Sequence, residues 1–142
     1  MKILVASDGS GPSDAAIRLA GSLAAKTGSE LHVLHVTLIS RWIYPDLLSE
    51  SQVERIKVDS EKRLADEESR AKESGVDITQ SHLRYGRADA EILNLAEELQ
   101  VGMIVIGNRS GDAMSRILLG NDAESVVRHA PCAVLVAREP EP

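Results

Sequence analysis

Chemistry in this chain is concentrated where glycines, arginines and a helix start come together. The stretch from Gly107 to Asn121 holds Gly107, Ser110, Gly111 and Gly120, with Arg109 and Arg116 among them, and leads into helical sequence at Asn121. Glycines let backbone N–H groups approach an anion, a helix N-terminus carries partial positive charge, and a guanidinium pairs with phosphate oxygens. A polar connection of this length in a compact domain usually serves function. A second candidate is the turn Ala6-Ser7-Asp8-Gly9-Ser10-Gly11. Its Asp8 could accept a ligand hydroxyl or amine, or simply form a turn before Gly9. A third is Val36-Thr37, where the second apolar run ends. Together these suit a phosphate-bearing ligand. The alternative is a surface loop with Gly for turns and Arg for solubility.

Other site chemistries fit poorly. Gly9-Ser10-Gly11-Pro12-Ser13-Asp14 lacks the third Gly of a dinucleotide fingerprint, and no acid ends the second apolar run to hold a ribose. Gly102 and Gly107 have P-loop spacing, but Asn108-Arg109 follows in place of Lys and Ser/Thr. The four histidines, His32, His35, His82 and His129, show no metal-ligand spacing, and His32 and His35 at i,i+3 on one strand point to opposite faces. The single cysteine, Cys132, excludes an intrachain disulfide, a Cys-based zinc site and a CxxC redox centre, and its apolar setting reads as a small core hydrophobe. Aromatics are 2% of residues, which argues against base stacking on single-stranded nucleic acid, and a net charge of -6 gives no general attraction to phosphate backbones or anionic membranes. No apolar run approaches the roughly 20 residues of a membrane span, and no signal peptide is apparent, so a cytoplasmic location is expected.

The elements that must position these residues alternate. Ile3–Ala6 reads as a buried strand. Ala16, Leu19, Ala20, Leu23 and Ala24 then recur at helical spacing, with Ser13 or Asp14 as the cap and Gly28 just past the end. Leu31–Val36 is a second strand. Thr37–Ser49 breaks the pattern, with Trp42 and Tyr44 as a lid over the core. Ser51 and Glu54 are spaced as a capping box for a long charged helix running to Glu73 and ended by Gly75. Its Asp59/Arg63, Asp66/Arg70 and Glu68/Lys72 are i,i+4 pairs, and its apolar stripe is thin: Val53, Ile56, Leu64, Ala65 and Ala71. Ile78–Tyr85 is a more polar strand near a sheet edge, and Gly86 turns the chain. Ile92, Leu93, Leu95, Ala96 and Leu99 mark a helix with Asp89 and Glu91 at its positive end. Met103–Ile106 is the most apolar strand and is expected at the centre of the sheet. A helix from Asn121 to near Ala130 and a strand over Cys132–Ala137 follow. Apolar strands alternating with amphipathic helices mean an α/β fold, a parallel sheet covered on both faces, here as a single domain over residues 1–142.

Several of these segments resemble the universal stress protein family. Its nucleotide motif is G-x2-G-x9-G-[S/T]; here Gly107-Asn108-Arg109-Ser110 is followed by nine residues and then Gly120-Asn121. The runs Ser115–Gly120 and Val126–Val136, the start Ile3–Ser10, and Gly86 with Glu91-Ile92-Leu93 are similar to the family's corresponding segments, so the resemblance spans essentially the whole chain. It implies an open five-stranded parallel sheet with helices on both faces, of the Rossmann-like, adenine nucleotide alpha hydrolase-like kind, and a homodimer through the last strand, here Cys132–Ala137. It also implies binding of ATP or AMP, with Mg2+ carried by the phosphates. By the same resemblance Ala6, Ser7, Asp8 and Val36 hold the adenosine part, and Gly107, Arg109, Ser110, Gly120, Asn121, Asp122 and Ala123 hold the phosphates and ribose. Asp112 and Asp122 could reach the magnesium ion, or serve as surface and capping residues.

The chain departs from the motif at Ser110, in the place of the second Gly, and at Asn121, in the place of Ser/Thr. A side chain at a left-handed position costs about 1–2 kcal/mol, whereas Asn keeps amide donors and caps helices well. Three functions are therefore weighed. The first is an ATP-binding regulatory protein of the stress-response kind, acting on an unknown protein partner. The second is a nucleotide-free interaction module. The third is an ATP-using enzyme such as an adenylyl transferase, which Ser7-Asp8-Gly9-Ser10 and the lack of a nucleophile–base pair disfavour. No catalytic or metal-ligating residues are expected.

Overall fold

The computed structural model describes residues 1–7, 11–37, 49–107 and 121–138. Five strands and four helices alternate among them: β1 (Lys2–Ser7), α1 (Gly11–Thr27), β2 (Glu30–Thr37), α2 (Glu50–Glu73), β3 (Gln80–Tyr85), α3 (Ala88–Leu99), β4 (Met103–Gly107), α4 (Asn121–His129) and β5 (Ala133–Ala137). The sheet is parallel throughout, in the order β3-β2-β1-β4-β5. The centre belongs to β1, with Ile3, Leu4 and Val5 fully buried, and the Met103–Ile106 run expected there forms most of its neighbour β4.

Because side chains alternate along a strand, each one feeds two cores. Ile3, Val5, Leu31, Val33 and Val105 meet Ala16, Ile17, Ala20 and Ala24 of α1 and Ala71 of α2 on one face. Leu4, Leu34, Ile104 and Ile106 meet Ile92, Leu95 and Ala96 of α3 and Val126 of α4 on the other. The split follows from handedness. The connections through α1 and α2 step in one direction from β1, those through α3 and α4 step in the other, and right-handed crossovers then place the two pairs on opposite faces.

Local expectations hold with specific corrections. Gly28 and Gly75 end their helices at positive φ, 65° and 84°. β3 is the polar edge strand. The capping box lies two residues earlier than Ser51/Glu54: Ser49 Oγ accepts from the Gln52 N–H at 3.2 Å, and Gln52 Oε1 accepts from the Ser49 N–H at 2.8 Å. Both Ser and Gln satisfy the motif, and the earlier pair wins because the helix starts at Glu50. Neither Ser13 nor Asp14 precedes α1, which already runs at Gly11; Asp14 instead accepts two hydrogen bonds from Arg70 of α2. Arg70 thus pairs across helices rather than with Asp66 as the i,i+4 spacing suggested, whereas the Asp59–Arg63 pair forms at 3.2 Å.

The buried stripe of α2 is also different. It consists of Ser60, Leu64, Glu67 and Ala71, while Ala65 is exposed. No helix among the described residues is long and apolar enough to cross a membrane.

Candidate functional site

The sheet's carboxyl edge is where β1, β2 and β4 hand over to their connections. The chain leaves β1 through α1 on one face and β4 towards α4 on the other, so the switch point of the topology lies between these two strands. Among the described residues the β1–β4 ladder runs from Ile3–Met103 to Val5–Val105, two residues short of Ser7 and Gly107. The β1–β2 ladder continues to Ser7–His35 and the β4–β5 ladder to Gly107–Ala137. In open parallel sheets the crevice at this switch point, outside the carboxyl ends of β1 and β4, is where ligands bind.

Several residues singled out from the sequence gather at this edge. Ala6 and Val36, both half-buried, are the next-to-last residues of β1 and β2 and pack into the same core cluster as Ala123 in the first turn of α4. Gly107 ends β4, and Asn121 and Asp122 open α4, with Asp122 exposed. Ala6, Val36 and Gly107 bring only small or aliphatic side chains to this edge. Ser7 is buried, and its parity with Ile3 and Val5 turns its side chain towards α1 and α2, where its hydroxyl donates to Glu67 of α2. Asp8, Arg109, Ser110 and Gly120 lie outside the described residues.

Two polar groupings support this edge that the sequence did not disclose. Beneath α2, Glu67 is 1% exposed and meets the Ser7 hydroxyl, while Ser60 and Thr37 exchange a hydrogen bond at 2.7 Å at the end of β2. His35, also buried, is the register partner of Ser7. The 4-3-4 spacing of Ser60, Leu64, Glu67 and Ala71 was the available signal, but a carboxylate among so many charges looks like any solvated neighbour.

At the opposite side, Asp89 at the start of α3 accepts from Arg87 Nε and Nη2 at 3.0 and 2.9 Å and from the Ser125 hydroxyl of α4 at 2.8 Å. The Arg87 hydrogen bonds, helped by Ser125 and the Ala90 amide and opposed by burial, hold the carboxyl at about 2 rather than 3.8. This clamp ties the start of α3 to α4. Burial raises the Cys132 thiol above its ordinary range, as expected of a half-buried cysteine packed beside Val134 and Val136. No group of three or more His, Cys, Asp or Glu side chains placed to hold a metal ion occurs among the described residues.

With this geometry in view, the family profile described as "Universal stress protein family" matches residues 1–138. The chain belongs to the universal stress protein family. A universal stress protein of Staphylococcus haemolyticus is 31% identical over 140 residues, spanning 98% of this chain and 85% of its own length. Among solved structures, a universal stress protein in complex with cAMP superposes with a TM-score of 0.69 at 22% identity, covering 97% of this chain and 96% of that one. A universal stress protein from Archaeoglobus fulgidus in complex with dAMP does so with a TM-score of 0.68 at 22% identity, covering 96% of each. These likenesses establish the α/β sheet architecture as that of universal stress proteins.

Proposed function

We propose that this universal stress protein is an ATP-binding regulatory protein that works as a cytoplasmic homodimer and not as an enzyme. The observation that carries the reading is the switch point at the carboxyl edge, where the β1–β4 ladder stops short of Ser7 and Gly107 and where Ala6, Val36 and Ala123 pack into one cluster. Relatives solved with cAMP and dAMP support an adenine nucleotide as the ligand. The residues present fit such a group: small strand ends accept a flat base against backbone, and a helix start offers N–H groups to an anion. Ala6, Ser7, Asp8 and Val36 hold the adenosine part in this reading. Gly107, Arg109, Ser110, Gly120, Asn121, Asp122 and Ala123 hold the ribose and phosphates, with Mg2+ retained through the phosphates. Regulation requires that ATP bind two states of the protein or its dimer with different affinity.

Calorimetric titration of the nucleotide-free chain with ATP and magnesium tests it, with AMP as comparison. Saturation near one ATP per chain is expected, and substituting Gly120 by Phe abolishes it while the fold remains. The proposed dimer uses the outer edge of β5, the strand whose only sheet neighbour among the described residues is β4. Sedimentation velocity should return twice the mass of one chain. Ser110 and Asn121, at motif positions for Gly and Ser/Thr, favour a second reading as a nucleotide-free interaction module. Absence of binding up to millimolar ATP selects it.

A further inference from the structure

Helix α2 is docked in an unusual way for a helix on a parallel sheet. Of the four residues in its buried stripe, Ser60, Leu64, Glu67 and Ala71, two are polar and one carries a carboxylate. Glu67 is 1% exposed and ranks among the largest fully buried side chains. Taking a carboxylate out of water is costly, and a well-packed apolar side chain of similar volume usually serves stability as well or better. A carboxylate kept in such a place has a task other than holding the core together. It accepts a hydrogen bond from Ser7, the last residue of β1, at the carboxyl edge of the sheet. The second polar pin, Ser60 to Thr37 at 2.7 Å, ends on the last residue of β2. Both pins therefore reach the strand ends that flank Ala6 and Val36, whereas Leu64 and Ala71 supply the apolar contact.

We propose that Glu67 is a positioning residue of the nucleotide site: by accepting the Ser7 hydroxyl it fixes the end of β1 and ties the docking of α2 to the state of that site. The proposal rests on the nucleotide reading above and names a residue that the sequence motif does not contain. Glu67 touches no ligand in this account. It acts through Ser7, whose side chain is held beneath α2 so that its backbone and that of Ala6 face the crevice in one conformation. A nucleotide seated against the Ala6–Ser7 backbone favours the docked α2, and loss of the Glu67–Ser7 hydrogen bond releases the end of β1 while apolar packing keeps α2 in place.

The test separates positioning from packing. Glu67→Met fills the volume without an acceptor, Glu67→Gln keeps an acceptor oxygen without the charge, and Ser7→Ala removes the donor. Each is measured for Tm and for ATP affinity by calorimetry. Glu67→Met is expected to keep or raise Tm while weakening ATP at least about tenfold, the size of one lost charge-assisted hydrogen bond. Glu67→Gln should recover most of the affinity. Ser7→Ala should weaken ATP as much as Glu67→Met, and the double variant no further, since one contact is removed twice. Should Glu67→Met fail to fold, the Glu67→Gln and Ser7→Ala pair carries the comparison. Wild-type affinity in Glu67→Met or Ser7→Ala, or additive losses in the double variant, overturns the role of Glu67 alone. Failure of the wild-type chain to bind ATP overturns the nucleotide reading and this role with it.

Discussion

Replacing Asp89 by Asn probes the clamp that joins the start of α3 to α4. Asn is a permanent stand-in for the protonated acid: the shape is kept, one acceptor oxygen remains, and the charge is gone. The carboxyl is held at about 2 against an ordinary 3.8, with the Arg87 hydrogen bonds as the first cause. A displacement of that size corresponds to about 2.5 kcal/mol favouring the ionised form in the folded chain. The Asp89 side chain is only 11% exposed, but its partner Arg87 is 73% exposed and screened by solvent. The expected loss on Asp89→Asn is therefore about 1–2 kcal/mol at pH 7. For a chain of this length that lowers Tm by about 3–8 °C.

The sign with pH follows from the depressed value. The contribution is present above the unfolded pKa near 4, and it is lost as pH falls through 4 towards 2. Urea unfolding of wild type and Asp89→Asn from pH 7 to pH 2.5 measures both effects. The two stabilities should converge over the lowest pH unit and a half. Equal stability at pH 7, or a gap that persists unchanged to pH 2.5, would refute the clamp as the source of the shift.

Three further outcomes follow from the same structure. Ser49→Ala removes one half of the capping box on α2 and should cost about 1 kcal/mol, read from the urea midpoint at unchanged m-value. Gly21→Ala places a Cβ 2.7 Å from Val76 Cγ1, and the short, stiff valine cannot yield; the gain of about 1 kcal/mol in helix propensity is outweighed by overpacking of about 1–3 kcal/mol, so Tm falls. His82 stacks on His32 with ring centroids 5.3 Å apart and shares a hydrogen bond with it at 3.0 Å, on the face of β2 and β3 that also presents Glu30, Arg84 and, from α3, Glu98. Burial, then the His32 and Arg84 charges, lower its pKa below 6.5, so the unfolded chain takes up the proton more readily and stability declines as pH falls below about 6.5. His82→Gln should flatten that decline in a pH series of thermal melts, and an unchanged slope would remove His82 as its source.

The order of elements was legible in the sequence because each helix and strand carries its own period. Ile3-Leu4-Val5 and Met103–Ile106 are continuous apolar runs, and the structure buries them as β1 and β4 in the sheet interior. The helix ends at Gly28 and Gly75 were equally local, since a positive φ is a property of one residue. So were the positions of Ala6, Val36 and Gly107, which stand at or next to strand ends that the pattern itself defines.

Tertiary structure alone decided which charged groups face inward. Asp66, Glu67 and Glu68 are nearly the same chemically, and only the seating of α2 against β2, β3 and α1 buries the middle one on Ser7. Arg70 likewise had a partner four residues away in sequence and found another on α1, because the helices cross there. Asp89 and Ser125 lie 36 residues apart and meet only once α3 and α4 share a face of the sheet. Local sequence sets backbone geometry residue by residue. Pairing of buried charges depends on where whole elements are carried by the sheet's strand order, and that order is written in no single segment.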